Sequence, residues 1–245
     1  MRRTVPWIVL GLALGLASLA QSSAPPKPSV VPVSWELDFE HQTPQPITLR
    51  LPGEDKSVRY WYMLYIVTNK SKSDQYFIPD LTLCTETGQV RRAGVGVPAA
   101  VFDAVQKRHN NPLLVDQATI TGKILQGDDN AKHGVAIWPE YDPAARAFDI
   151  FVGGLSGERA KVELPASAPS AEPPKKAAAE APGEKAEAAA EGQEQPAKKP
   201  AEKPADKSRE VTLSKTLRLS FSIPGEASAR DRNAPALVSR EWVMR

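Results

Sequence analysis

Between residues 165 and 210 the chain has no Val, Ile, Leu, Met or aromatic residue, and this tract limits how everything around it can fold. It consists of Ala, Pro, Lys, Glu and a few small polar residues, interrupted by Pro169, Pro173, Pro174, Pro182, Pro196, Pro200 and Pro204. Such a segment buries too little apolar surface to offset the entropy of ordering it, and its prolines break any long helix. The Ala/Glu/Lys stretches at 176–181 and 184–191 are too short to hold a helix in water on their own. Directly after the tract, Leu217, Leu219, Phe221 and Ile223 alternate with Arg218, Ser220 and Ser222, the signature of a half-buried strand. The segment 211–245 is too short to fold alone, so it has to return to the domain that precedes the tract. The tract is therefore read as a disordered insertion into one fold. Lengthening a loop from about 5 to about 46 residues costs only about 2 kcal/mol. A flexible coil of that length spans about 35 to 40 Å.

The start of the chain carries an address. Arg2 and Arg3 precede an apolar run from Trp7 to Leu19, with small residues at Ser18 and Ala20, which is the pattern of an export signal. The run is shorter than the roughly 20 apolar residues of a membrane span, so no stable span is expected after cleavage. Cleavage is expected after Ala20 or Ala24. No cysteine follows the run to carry a lipid. The expected organisation is a signal peptide at 1–24, the first part of a β-domain at 25–164, the insertion at 165–210 and C-terminal strands at 211–245. The expected location is secreted or periplasmic.

Composition narrows the partners. A net charge of +2, with acids and bases interspersed, gives no electrostatic case for nucleic acid. A single cysteine, Cys84, excludes an internal disulfide, so the fold has to be held by core burial. Cys84 falls in the strand-like alternation of Leu81, Thr82 and Leu83 and reads as a small buried hydrophobe.

Most of the remaining chain reads as strands. Trp35, Leu37 and Phe39 alternate with acids, and Ile47, Leu49 and Leu51 alternate with Thr48 and Arg50 before a Pro52-Gly53 turn. Residues 60–67 are apolar or aromatic throughout, as in a central strand covered on both faces. Further strands are expected at 75–78, 81–85, 113–115, 134–138 and 148–152. One helix is expected at 99–108, after Pro98, with Val101, Phe102 and Val105 on one stripe and His109, Asn110, Asn111 and Pro112 at its end. A second helical turn is expected at 116–124. Strands do not alternate regularly with long helices, which excludes a parallel α/β sheet.

The strand Tyr62-Met63-Leu64-Tyr65-Ile66-Val67-Thr68-Asn69-Lys70-Ser71, the aromatic-containing strand and Gly88 turn after it, and the stretch from Tyr141-Asp142-Pro143 to Phe148-Asp149-Ile150-Phe151-Val152 carry a resemblance. They resemble exported bacterial modules of the immunoglobulin-like or fibronectin-like β-sandwich type. The resemblance implies a mainly β, antiparallel immunoglobulin-like sandwich and carries over no catalytic residue. The helix at 99–108 is an addition to that plan.

Local signatures of chemistry are sparse. The sequence has no Gly-x-Ser-x-Gly elbow, phosphate-binding glycine loop or His-Glu-x-x-His. Gly94-Val95-Gly96 reads as a strand-exit turn. His41, His109 and His133 read as solvated loop residues. Gly127-Asp128-Asp129-Asn130 reads as a turn, although Glu140 and Asp142 could join it around Ca²⁺ if the fold brought them near. Asn69-Lys70-Ser71 fits a turn as well as a glycosylation acceptor. The candidates for ligand binding are Trp138 and Tyr141, whose rings would stack on a sugar or grip a partner if exposed at a strand end. Trp35, Tyr60, Trp61, Tyr62, Tyr65 and Trp242 read as packing residues.

The expected function is a non-catalytic structural or protein-interaction module of the cell envelope, needing no cofactor or metal. Its expected partner is an envelope protein or a cell-wall polymer. Two alternatives remain: a carbohydrate- or small-ligand-binding module using Trp138 and Tyr141, and a hydrolase with a non-local site. Expressed in an exporting host, the mature chain should begin at Gln21 or Pro25 by N-terminal sequencing; a chain that keeps Met1 would contradict the signal reading.

Overall fold

The apolar run at 60–67 forms the middle of a long strand, and the rest of the chain is arranged to cover it. In the computed structural model, residues 25–164, 209–225 and 233–245 are described. The expected signal peptide and the expected insertion up to residue 208 lie outside the described residues. The chain is mainly β, with antiparallel sheets and two helices.

Strands β1 (Asp38–His41) and β2 (Gln45–Arg50) pair with the second and first halves of β3 (Ser57–Thr68). The short β4 (Gln75–Phe77) leads to β5 (Asp80–Thr85) and β6 (Val90–Arg92), followed by helix α1 (Ala99–His109). Strand β7 (Leu114–Val115), helix α2 (Gln117–Ile120) and β8 (Gly122–Ile124) come next. The chain continues through β9 (Lys132–Pro139), β10 (Ala147–Gly153), β11 (Arg159–Leu164), β12 (Arg209–Ser222) and β13 (Ala236–Met244). The first sheet has the order β1-β3-β9-β7, with β2 also on β3; β7 is its parallel member. The second has the order β11-β12-β10-β5-β6, with β13 also on β12. Strands β4 and β8 form a separate ribbon.

Side-chain alternation sorts β3 onto two cores. Trp61, Met63, Tyr65 and Val67 join Trp138 of β9, Leu81 and Leu83 of β5, Phe148, Ile150 and Val152 of β10, and Leu217, Leu219 and Phe221 of β12 in the main core shared by the two sheets. Tyr60, Tyr62 and Leu64 point the other way and pack with Val135 and Ile137 of β9 under Val101 and Val105 of α1. The helix is what allows β3 to be apolar or aromatic at every position from 60 to 67. Its stripe is the expected one, and it ends where Asn110 takes a left-handed conformation (φ 46°).

Strand β12 starts at Arg209, earlier than the expected 211, and Leu164 lies opposite Arg209 in the pairing with β11. The two described ends that flank residues 165–208 are thus neighbours across one strand pair. This start of β12 is polar, with Lys161 and Glu210 in an ion pair at 2.9 Å, so apolar alternation does not mark it. Strands β6, β8, β11 and β13 were not separately expected. Of these, β6, β8 and β13 are short or edge strands without a clean period of two, whereas in β11 Ala160, Val162 and Leu164 do alternate with Arg159, Lys161 and Glu163. The second helical turn is shorter than 116–124. Asp116 caps it by accepting from Thr119 N at 2.7 Å, and Gly122 (φ 141°) then turns the chain into β8.

At the centre of the first sheet, Tyr65 lies across Gly134, its register partner in β9. A Cβ on Gly134 would sit 2.4 Å from the Tyr65 ring. Gly134→Ala should therefore destabilise the fold by about 1 to 3 kcal/mol, read as a lower denaturant midpoint at unchanged slope; an unchanged midpoint would show that the ring does not pack there.

Candidate functional site

Trp138 and Tyr141 are not exposed. Trp138 is 0% and Tyr141 2% accessible, which removes the expected aromatic platform. The cause is register: Trp138 stands opposite Trp61, on the face of β9 that meets the second sheet. Tyr141 then packs its ring 5.3 Å from both Trp61 and Phe148. The ring contacts continue from Phe148 to Phe221 at 5.3 Å, and from Phe39 to Tyr65 at 5.2 Å. The two residues are core, in the company of the residues expected to pack.

The other sequence candidates disperse. Asp128–Asn130 forms a 3-10 turn; Glu140 is engaged by Arg59 at 3.1 Å and by the Trp61 indole N–H at 3.2 Å; Asp142 accepts from Ala144 N. Among the described residues, no group of three or more His, Cys, Asp or Glu is placed to hold a metal. The histidines are half-buried in regular elements, not in loops. His41 closes β1, His133 lies in β9 and His109 ends α1, where it shares a 2.9 Å hydrogen bond with the Tyr62 hydroxyl. Burial lowers the pKa of His41 and of His109, so both stay neutral near pH 7. Asn69 is fully buried. Its amide donates to Ser73 O and Ile124 O, and its Oδ1 accepts from Ser71 N and Oγ, so it holds a turn together. Gly94 and Gly96 have positive φ in the turn that leaves β6, as expected.

Two features were missed in the sequence. The first is Lys215, which sits at a core position of β12, in phase with Leu217, Leu219 and Phe221, and is 1% accessible. A cation cannot be left there unpaired. Its ammonium contacts Glu36 at 2.5 Å, Glu158 at 3.2 Å and the Ser29 carbonyl at 3.0 Å, and lies 5.1 Å from the centre of the Trp242 ring. Glu158 in turn accepts from Ser29 N at 2.9 Å. These bonds fasten the N-terminal segment across one end of the two-sheet core. Gly157 allows the close crossing, since a Cβ there would lie 2.5 Å from the Trp35 indole nitrogen. The signal in the sequence was a lysine in the apolar phase of an otherwise apolar strand.

The second feature is the outer face of the second sheet. The outer face of the first sheet is covered by α1, whereas on the second Asp80, Thr82 and Cys84 of β5, Asp149 and Phe151 of β10 and Thr216 and Arg218 of β12 point away from the core. Strand register places Arg218, Phe151, Thr82 and Arg92 side by side in one row across four strands. One residue pair further along, Gly153 has no side chain, and a depression of about 450 Å³ opens there, lined by Phe151, Asp80, Thr216, Ser214, Arg92 and Arg245 among others. Arg92 is paired with Asp80 at 3.3 Å, and Arg218 with Asp149 at 2.7 Å and Glu241 at 3.2 Å. Arg245 instead stacks on Phe151, its guanidinium carbon 4.3 Å from the ring centre. Cys84 is half-exposed on this face, which corrects the expectation that it is buried. Partial burial pushes its thiol pKa up, against a smaller opposing pull from Arg245.

Compared with protein-family models, curated proteins and solved structures, the chain finds no match.

The charge cluster makes a pH prediction. Burial alone would lower the Lys215 pKa, but the hydrogen bonds and charges of Glu36 and Glu158 together raise it; the Glu158 pKa is lowered, chiefly by the Ser29 backbone N–H and then by Lys215. The Lys215 contribution is present below its unfolded value of 10.5 and fades as pH rises past its higher folded value. The Glu158 contribution is present above its unfolded value of 4.5 and fades as pH falls through its lower folded value. Lys215→Met should therefore cost about 3 kcal/mol at neutral pH, and the gap to the parent chain should shrink in acid. A gap that does not change with pH would refute the ion-pair account.

Proposed function

We propose that the chain is an exported, non-catalytic interaction module of the cell envelope, built as an immunoglobulin-like β-sandwich and engaging its partner through the outer face of its second sheet. One observation carries this reading: β3 and β9 at the centre of the first sheet are buried on both faces, while the outer face of the second sheet holds a depression beside Gly153. The chemistry of that face is recognition chemistry. It offers guanidinium groups, hydroxyls and one aromatic ring. The thiol at its margin has a raised pKa, which keeps it protonated and a poor nucleophile. The resemblance to exported bacterial sandwich modules and the export signal support the location, and an envelope protein or a cell-wall polymer is the partner of this reading.

The test is fractionation of an exporting host that expresses the full chain or its Phe151→Lys variant, with thermal unfolding of both purified proteins as a control for folding. The parent should be retained with the envelope, and the variant should unfold at a similar temperature yet be released to the soluble fraction. Equal retention of the two would overturn the assignment of the open face.

A further inference from the structure

We propose that the depression on the second sheet is a receptor for a carboxylate-bearing sugar, with Arg245 stacked on Phe151 as the group that takes the carboxylate. The proposal rests on the open-face reading and deepens it by naming the ligand.

Three observations converge. First, Arg92 and Arg218 have carboxylate partners on this face, whereas no carboxylate among the described residues pairs with Arg245. Second, Arg245 is held in place. Its backbone N and O both bond to Ser214, at 3.0 and 2.7 Å, and its guanidinium carbon lies over Phe151, 4.3 Å from the ring centre. A guanidinium already fixed by stacking loses little freedom when it forms a bidentate pair with a carboxylate. Third, the space beside it suits a sugar ring. The missing side chain of Gly153 leaves the hollow, and the hydroxyls of Ser214 and Thr216 and the Asp80 carboxylate stand around it. Thr216, largely buried at the edge of the hollow, donates its Oγ1 hydroxyl to Ser214 O at 3.1 Å. The hydroxyls and the carboxylate around one hollow match a polyhydroxylated ring better than an acidic peptide, whose backbone would call for a free strand edge.

The experiment is titration calorimetry on the mature full chain, residues 25–245, with hexuronic acid oligosaccharides, neutral hexose oligosaccharides of the same length and poly-glutamate. The hexuronic acid oligomers should bind, and the other two should bind at least tenfold more weakly. Arg245→Gln should weaken hexuronate binding by about tenfold or more, the loss expected for one charge-assisted bidentate pair. Phe151→Leu, which removes the stacking platform but keeps Arg245, should weaken it too, while both variants keep the parent unfolding temperature. Absence of hexuronate binding, equal binding of neutral sugar or poly-glutamate, or full binding by Arg245→Gln would each overturn the proposal. If hexuronate binding is absent while Phe151→Lys still releases the chain from the envelope, the ligand class falls and the interaction face stands; if envelope retention is also insensitive to Phe151→Lys, both fall.

Discussion

Burial of strand β3 on both faces is the constraint on which the rest of the structure depends. A strand reading Tyr-Trp-Tyr-Met-Leu-Tyr-Ile-Val can be stable only if two separate layers are supplied for its two sets of side chains. The second sheet supplies one, against Trp61, Met63, Tyr65 and Val67, and helix α1 supplies the other, against Tyr60, Tyr62 and Leu64. An asymmetry follows. The centre of the first sheet is covered on both faces, whereas the outer face of the second sheet carries no helix.

Closing the end of the core required a different solution. Lys215 occupies a position that packing alone would give to Leu, and its charge is tolerated because two carboxylates and a carbonyl meet it there. Buried ion pairs contribute little net stability compared with apolar packing, but their geometry is exacting. Here it fixes where the segment from Ser29 to Glu36 crosses the sheets. That crossing needs Gly157 bare, since Trp35 lies against its backbone. The charge cluster thus specifies the path of the chain into β1 more than it adds to the total stability.

The sequence announced the fold wherever one period dominated. The 60–67 run, the alternation at 217–223 and the stripe of α1 were legible because each residue's burial follows from its own phase. The β6, β8 and β13 strands were not, since pairing with a neighbour, and not an apolar face, holds them. The same limit explains the misplaced site. Trp138 and Tyr141 lie next to Pro139 and Glu140, a context that reads as a loop, and only cross-strand register puts the Trp138 ring opposite Trp61. The face proposed in their place draws on β5, β6, β10, β12 and the residue after β13, far apart in the chain, and no local spacing could have brought Arg245 to Phe151 and Gly153. Lys215 alone left a trace, a charge in an apolar phase.

The central claim is that β3 and β9 are closed on both sides while the outer face of the second sheet is the proposed binding face. Oxidative footprinting of the full chain, free and incubated with envelope material, tests it most directly. The account predicts that Tyr62 and Trp138 resist labelling in both states, whereas Phe151 and Cys84 label in the free chain and become protected on incubation. Ready labelling of Tyr62 or Trp138 in the free chain, or no change at Phe151 with envelope material, would contradict it.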